Sequence, residues 1–116
     1  MIYKLANVSD LAMLPPIDKP TMDVLYQYTN ILETEYGSNR DVDNGYGGYV
    51  LYCTSGTKVD EIKAMFDFEK YVVEFIEHTC EANPQICTIV YITSCERGAV
   101  LVMSIDDLPK EITNTF

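Results

Sequence analysis

The sequence Ile86-Cys-Thr-Ile-Val-Tyr-Ile-Thr93 is followed, after Ser94-Cys-Glu-Arg-Gly98, by Ala99-Val-Leu-Val-Met-Ser-Ile105. Both long runs are dense in β-branched and other apolar residues, which favours β-strands. The short segment between them has a glycine near its end, as hairpin loops often do. We therefore predict two strands, at 86–93 and 99–105, joined as a hairpin.

The segment upstream of this hairpin, residues 68–80, allows two interpretations. Val72, Val73, Ile76 and Cys80 continue the helical spacing of the preceding residues, so one unbroken helix over 58–80 is possible. The run 71–77 is nevertheless rich in β-branched and aromatic residues. We favour a helix that ends near 67 and a strand at 71–77, so that the last three strands form an antiparallel meander.

The N-terminal half predicts two strands and a long helix. A helix at 20–36 has Asp18 as its candidate cap, Pro20 in its first turn and Gly37 as its stop. Strands are predicted at 2–6 and 49–53, the second apolar throughout and therefore central. Thr54-Ser-Gly-Thr57 is a turn, and Thr57 with Asp60 resembles a capping box that begins the second helix.

These elements predict a single α+β domain covering 1–116. Its expected architecture is a mixed β-sheet, two amphipathic helices packed on one face of that sheet, and the C-terminal antiparallel meander. The chain has 116 residues, of which 47% are hydrophobic, enough for one compact core.

Composition bounds the environment and the partners. Eighteen acidic residues against eight basic ones give a net charge of −10 at pH 7. This charge repels nucleic-acid phosphates and anionic membranes, so we expect neither as a direct partner, whereas a basic protein partner fits. The charge can also serve solubility alone. The N-terminal residues are not typical of a secretion signal, which predicts a cytoplasmic location, and the sequence leaves the oligomeric state open.

Candidate catalytic and metal-binding residues are His78 and the four cysteines, at positions 53, 80, 87 and 95. His78-x-Cys80 is the only closely spaced pair, whereas zinc sites usually combine two such pairs. In a reducing compartment, the thiols are best interpreted as small apolar residues without disulfides. Neither the Asp41–Gly45 stretch nor the glycines before 49–53 match a calcium or dinucleotide loop. We therefore predict no metal, no cofactor and no catalytic residue.

A glycine-rich loop at 37–48 is the predicted binding site. Long loops of this kind are often functional, and carboxylates beside tyrosine rings can hold arginine by charge and by stacking. A loop without function is the alternative. The predicted binding residues are Tyr36, Asp41, Asp43, Tyr46 and Tyr49. Tyr26 and Tyr28 point to different sides of the first helix, so at least one of them lies off its apolar stripe.

The favoured function is that of a non-enzymatic acidic binding protein, an antagonist, immunity-type or regulatory module that acts on a basic protein. One alternative is a DNA mimic, because the segment 60–81 carries seven carboxylates that could follow the spacing of DNA phosphates. These carboxylates could equally form a solvated face. Another alternative is a small enzyme in which His78 assists Cys53 or Cys80.

The run Glu35-Tyr-Gly-Ser-Asn-Arg-Asp-Val-Asp-Asn-Gly-Tyr-Gly-Gly-Tyr-Val-Leu-Tyr, with Glu61-Ile-Lys-Ala and Phe66-Asp-Phe downstream, supports one comparison. Over 20–108 the chain resembles small accessory proteins carried by conjugative transposons and phages of Gram-positive gut bacteria. The resemblance implies a bacterial, cytoplasmic protein of a mobile genetic element that acts on host defence. It brings no catalytic residues.

Overall fold

The computed structural model describes residues 1–36, 48–65, 72–77, 84–92 and 98–108, with the backbone alone at 35, 36, 72–77, 91, 92 and 98. Two helices are present in this part of the chain, α1 (Lys19–Tyr36) and α2 (Val59–Met65). Two short 3-10 helices accompany them, η1 (Val8–Met13) and η2 (Ile105–Asp107). The strands are β1 (Ile2–Leu5), β2 (Gly48–Cys53), β3 (Val72–Glu77), β4 (Ile86–Ile92) and β5 (Gly98–Ser104).

The five strands form one mixed sheet in the order β1-β2-β5-β4-β3. β3, β4 and β5 are successive antiparallel neighbours, which confirms the predicted meander. β2 pairs with β5 in parallel and with β1 in the antiparallel sense, so it lies inside the sheet as its apolar sequence predicts. The α+β class is confirmed, and the strand β3 decides the ambiguous segment against one unbroken helix.

The helices contact different faces of the sheet. Alternate residues of a strand point to opposite faces. Tyr49, Leu51 and Cys53 of β2 belong to a cluster that contains Ile62 of α2. Val50, between them, belongs to a second cluster that contains Val24 and Leu25 of α1. The prediction that both helices pack on one face is therefore wrong, because β2 is apolar on both sides and each side needs its own cover.

Both helix starts have identifiable caps. Asp18 accepts hydrogen bonds from the Thr21 backbone N–H and hydroxyl, at 3.0 and 2.8 Å, which confirms the predicted cap of α1. At α2, Glu61 accepts a bond from the Lys58 N–H at 2.8 Å, one residue later than the predicted box. The hydroxyl of Thr57 is not available for that box, because it donates to the Thr54 carbonyl at 2.6 Å.

Candidate functional site

The predicted binding loop is only bounded by described residues. Asp41, Asp43 and Tyr46 lie outside them. Tyr36 is the last residue of α1, and Gly48 is the first residue of β2, where it pairs with Gly98 of β5. The loop assignment therefore stays a prediction for these positions.

Tyr49, the fifth predicted binding residue, belongs to the protein interior. Its side chain is 4% exposed, and its hydroxyl donates to the Met65 carbonyl at 3.2 Å. The Lys4 ammonium lies 4.4 Å from the centre of its ring. In this arrangement the Tyr49 hydroxyl links β2 to the end of α2, and its ring does not form part of the exposed surface used in the proposals below.

The tyrosines of α1 divide as their spacing predicts. Tyr26 is 50% exposed, whereas Tyr28 packs against the cluster beneath the helix. A further pair was not predicted: Tyr3 and Tyr52 lie opposite each other in the β1–β2 ladder, with ring centres 6.3 Å apart. Burial raises the pKa of Tyr52, and the nearby Asp18 carboxylate adds to this rise. Only the register of the two strands could have indicated this pair.

Four carboxylates gather where the parallel strands β2 and β5 end. We call this group the acidic edge, and its members are Asp60, Glu61, Asp106 and Asp107. The turn after β2 and the helix η2 after β5 are joined here, because the Gly56 N–H donates to the Asp107 carboxylate at 3.1 Å. Val59 and Ile62 of α2 pack in the same cluster as Ile105 of η2.

The acidic edge acts through its electric field and not through chelation. Lys58 and Lys63 are the basic residues of its segments, 54–65 and 104–108. In the described part of the chain, no three His, Cys, Asp or Glu side chains are grouped so that they could hold a metal ion. Spread carboxylates of this kind match several separate ammonium or guanidinium groups better than one ion.

Two of the candidate nucleophiles are unsuited to attack. Cys53 and Cys87 are buried free thiols in β2 and β4, which β5 separates in the sheet. Burial is the main cause that raises the pKa of the Cys53 thiol to about 12, and the Glu61 and Asp107 carboxylates add to it. Burial also raises the pKa of Cys87. Both thiols therefore stay protonated at neutral pH, while His78, Cys80 and Cys95 lie outside the described residues.

Comparison with known proteins gives no relative for this arrangement. No protein-family model, curated protein or solved structure matches the chain. The resemblance to accessory proteins of mobile elements therefore stays a prediction. Among the residues that the structure describes, neither helix is long and apolar enough to span a membrane.

Proposed function

We propose that this protein is a non-enzymatic binding module that acts on a basic protein partner in the cytoplasm, as an antagonist, an immunity protein or a regulator. The observation that carries the proposal is the acidic edge. Its four carboxylates come from two segments that a Gly56–Asp107 hydrogen bond holds together. Complementary charge of this kind accelerates association and selects partners of opposite sign.

The side chains of the acidic edge differ in their availability. Glu61 holds the start of α2, and Asp107 holds the turn after β2, so both carboxylates have a structural role. Asp60 and Asp106 are exposed and take no part in these two bonds. We therefore assign to Asp60 and Asp106 the direct contact with basic side chains of the partner.

An enzyme is the weaker proposal for the same reasons of charge and burial. Catalysis by cysteine requires a thiolate that a substrate can reach. Cys53 and Cys87 are buried and protonated, and the two carboxylates near Cys53 disfavour a thiolate further. Binding without chemistry needs none of these groups.

The predicted loop residues Tyr36, Asp41, Asp43 and Tyr46 remain a second candidate contact surface. The loop would join β2 at Gly48, whereas the acidic edge begins beyond Cys53 at the other end of the same strand. Substitutions in the two surfaces can therefore be tested separately, and either surface would serve the same class of partner.

The experiment is an affinity pull-down from a lysate of the source bacterium, at low and at moderate salt, with the full chain as bait. We expect a basic protein whose retention falls as the salt concentration rises, because exposed ion pairs are screened. Replacing Asp60→Asn together with Asp106→Asn should weaken binding about fivefold to tenfold, as expected for two exposed contacts.

Two further variants complete the test. Asp23→Asn is the control for the loss of an exposed carboxylate, since Asp23 lies on α1 and pairs with Lys19 at 2.9 Å. The triple variant Asp41→Ala, Asp43→Ala and Tyr46→Ala tests the predicted loop. Retention of only acidic or neutral proteins, or equal binding by the edge, loop and control variants, would refute the proposal.

A further inference from the structure

The outward face of α1 lacks charge over its second half. Between Tyr26 and Thr34, the residues that the structure classes as exposed all have uncharged side chains. They are Tyr26, Gln27, Asn30, Ile31 and Thr34. The chain as a whole has a net charge of −10 and is 22% charged residues, so an exposed helical face without a carboxylate stands apart from its general composition.

The nearby charged side chains of α1 are engaged elsewhere. Lys19 and Asp23 form an ion pair in the first two turns, at 2.9 Å. Glu33 accepts a hydrogen bond from the Val8 N–H at 2.9 Å, which joins α1 to the start of η1. These bonds direct both carboxylates to local partners and leave the face from Tyr26 to Thr34 free of formal charge.

The same face also exposes two large side chains. Tyr26 is 50% exposed and Ile31 is 45% exposed. Five residues separate them, so they lie about 140° apart around the helix and border the face on its two sides. Between them are the amides of Gln27 and Asn30. Aromatic and aliphatic residues together with few charges are the composition found at the centre of protein interfaces.

The charge of the whole molecule indicates which partner this face suits. A basic protein would be drawn to carboxylates, which this face does not present. A second copy of the chain also carries a charge of −10, so two copies can meet closely only where carboxylates are absent. We propose that the outward face of α1 is a self-association surface that pairs with α1 of a second copy. This inference does not rest on the proposed binding function.

A two-fold axis near Asn30 satisfies the chemistry of the face. In an antiparallel pair of helices related by that axis, Asn30 lies opposite Asn30 of the second copy, and Tyr26 lies opposite its Thr34. An asparagine amide both donates and accepts, so two of them can bond to each other across the axis. The contact spans about 12 Å of helix, which places it among small, reversible interfaces.

The test is the molar mass of the full chain in solution, measured by sedimentation equilibrium over a wide range of protein concentration. We expect the mass to rise from 13.2 kDa toward twice that value as concentration increases. Asn30→Asp keeps the shape of the side chain but places like charges opposite each other at the axis. It should weaken association at least about tenfold, and added salt should restore part of the loss.

Gln85→Glu is the matched control. It also exchanges an exposed amide for a carboxylate and raises the net charge by the same amount, but Gln85 precedes β4 and lies away from α1. Its association should remain close to that of the parent. A parent that stays at 13.2 kDa at every concentration, or equal weakening by Asn30→Asp and Gln85→Glu, would overturn the proposal.

Discussion

Replacing Thr29 with valine should make the protein more stable. Thr29 lies on the inner side of α1 and is 0% exposed, and its hydroxyl oxygen has no hydrogen-bond partner among the described residues. A buried hydroxyl without a partner costs about 1–3 kcal/mol relative to a bonded one. Valine keeps the branched shape and a similar helix propensity, so Thr29→Val should leave no cavity and little backbone effect.

Thr21→Val is the matched control, because it is the same substitution in the same helix with the opposite expected sign. Thr21 is 1% exposed, and its hydroxyl donates to the Asp18 carboxylate at 2.8 Å. Valine would keep the backbone bond to Asp18 and lose the side-chain bond. We expect a loss of about 1–2 kcal/mol for Thr21→Val and a gain of about 1 kcal/mol for Thr29→Val.

The assay is urea unfolding followed by circular dichroism, with a thermal scan as a second measurement. For a domain of this size, 1 kcal/mol corresponds to a shift of about 4 °C in Tm. The two variants should therefore melt on opposite sides of the parent protein, with unchanged m-values. If Thr29→Val is less stable than the parent, the Thr29 hydroxyl has a partner, such as the carbonyl one turn earlier in the helix, and the reasoning is refuted.

Two further predictions concern the turn after β2 and the buried thiols. Gly56 has φ +84°, with nothing within 4 Å of an added Cβ, so Gly56→Ala should cost about 1 kcal/mol in urea unfolding from backbone strain alone; no loss would contradict this. Burial raises the folded-state pKa of Cys53 from 9.0 to about 12, so this thiol's contribution to stability should be complete below pH 9 and lost as pH rises toward 12. Unfolding measured across this range should show the fall in the parent and a smaller one in Cys53→Ala, and the Cys53 and Cys87 thiols should resist iodoacetamide at pH 8 until the protein is unfolded.

The parts of the fold that depend on local sequence could be predicted. Asp18, Pro20 and the apolar spacing of α1 place its start within one residue of the observed Lys19. The runs at 71–77 and 86–93 match β3 and β4 because β-branched residues favour strands wherever they pair. The antiparallel order of these strands also follows from short connections.

The non-local parts could not be predicted in the same way. The parallel pairing of β2 with β5 joins residues about fifty positions apart, and no local signal in the 49–53 run selects that neighbour. The error about the helix faces follows from this pairing, since a strand between two neighbours is covered on both sides. Tyr49 shows the same difficulty at one residue. Its place beside a glycine-rich segment suggested a binding residue, but the alternation of β2 directs it into the core.

The two proposed surfaces are compatible with one another, which gives the charge pattern a further meaning. The self-association face lies on the outer side of α1, whereas the acidic edge lies where β2 and β5 end, and the face that α2 covers is the opposite one. A dimer through α1 would therefore leave both acidic edges exposed. Two linked edges would bind a partner with two basic sites, or a basic dimer, more tightly than one edge does. If both proposals hold, Asn30→Asp should weaken the retention of such a partner in the pull-down even though Asn30 does not touch it, and Gln85→Glu should not. Loss of self-association without any change in retention would show that the two surfaces act independently.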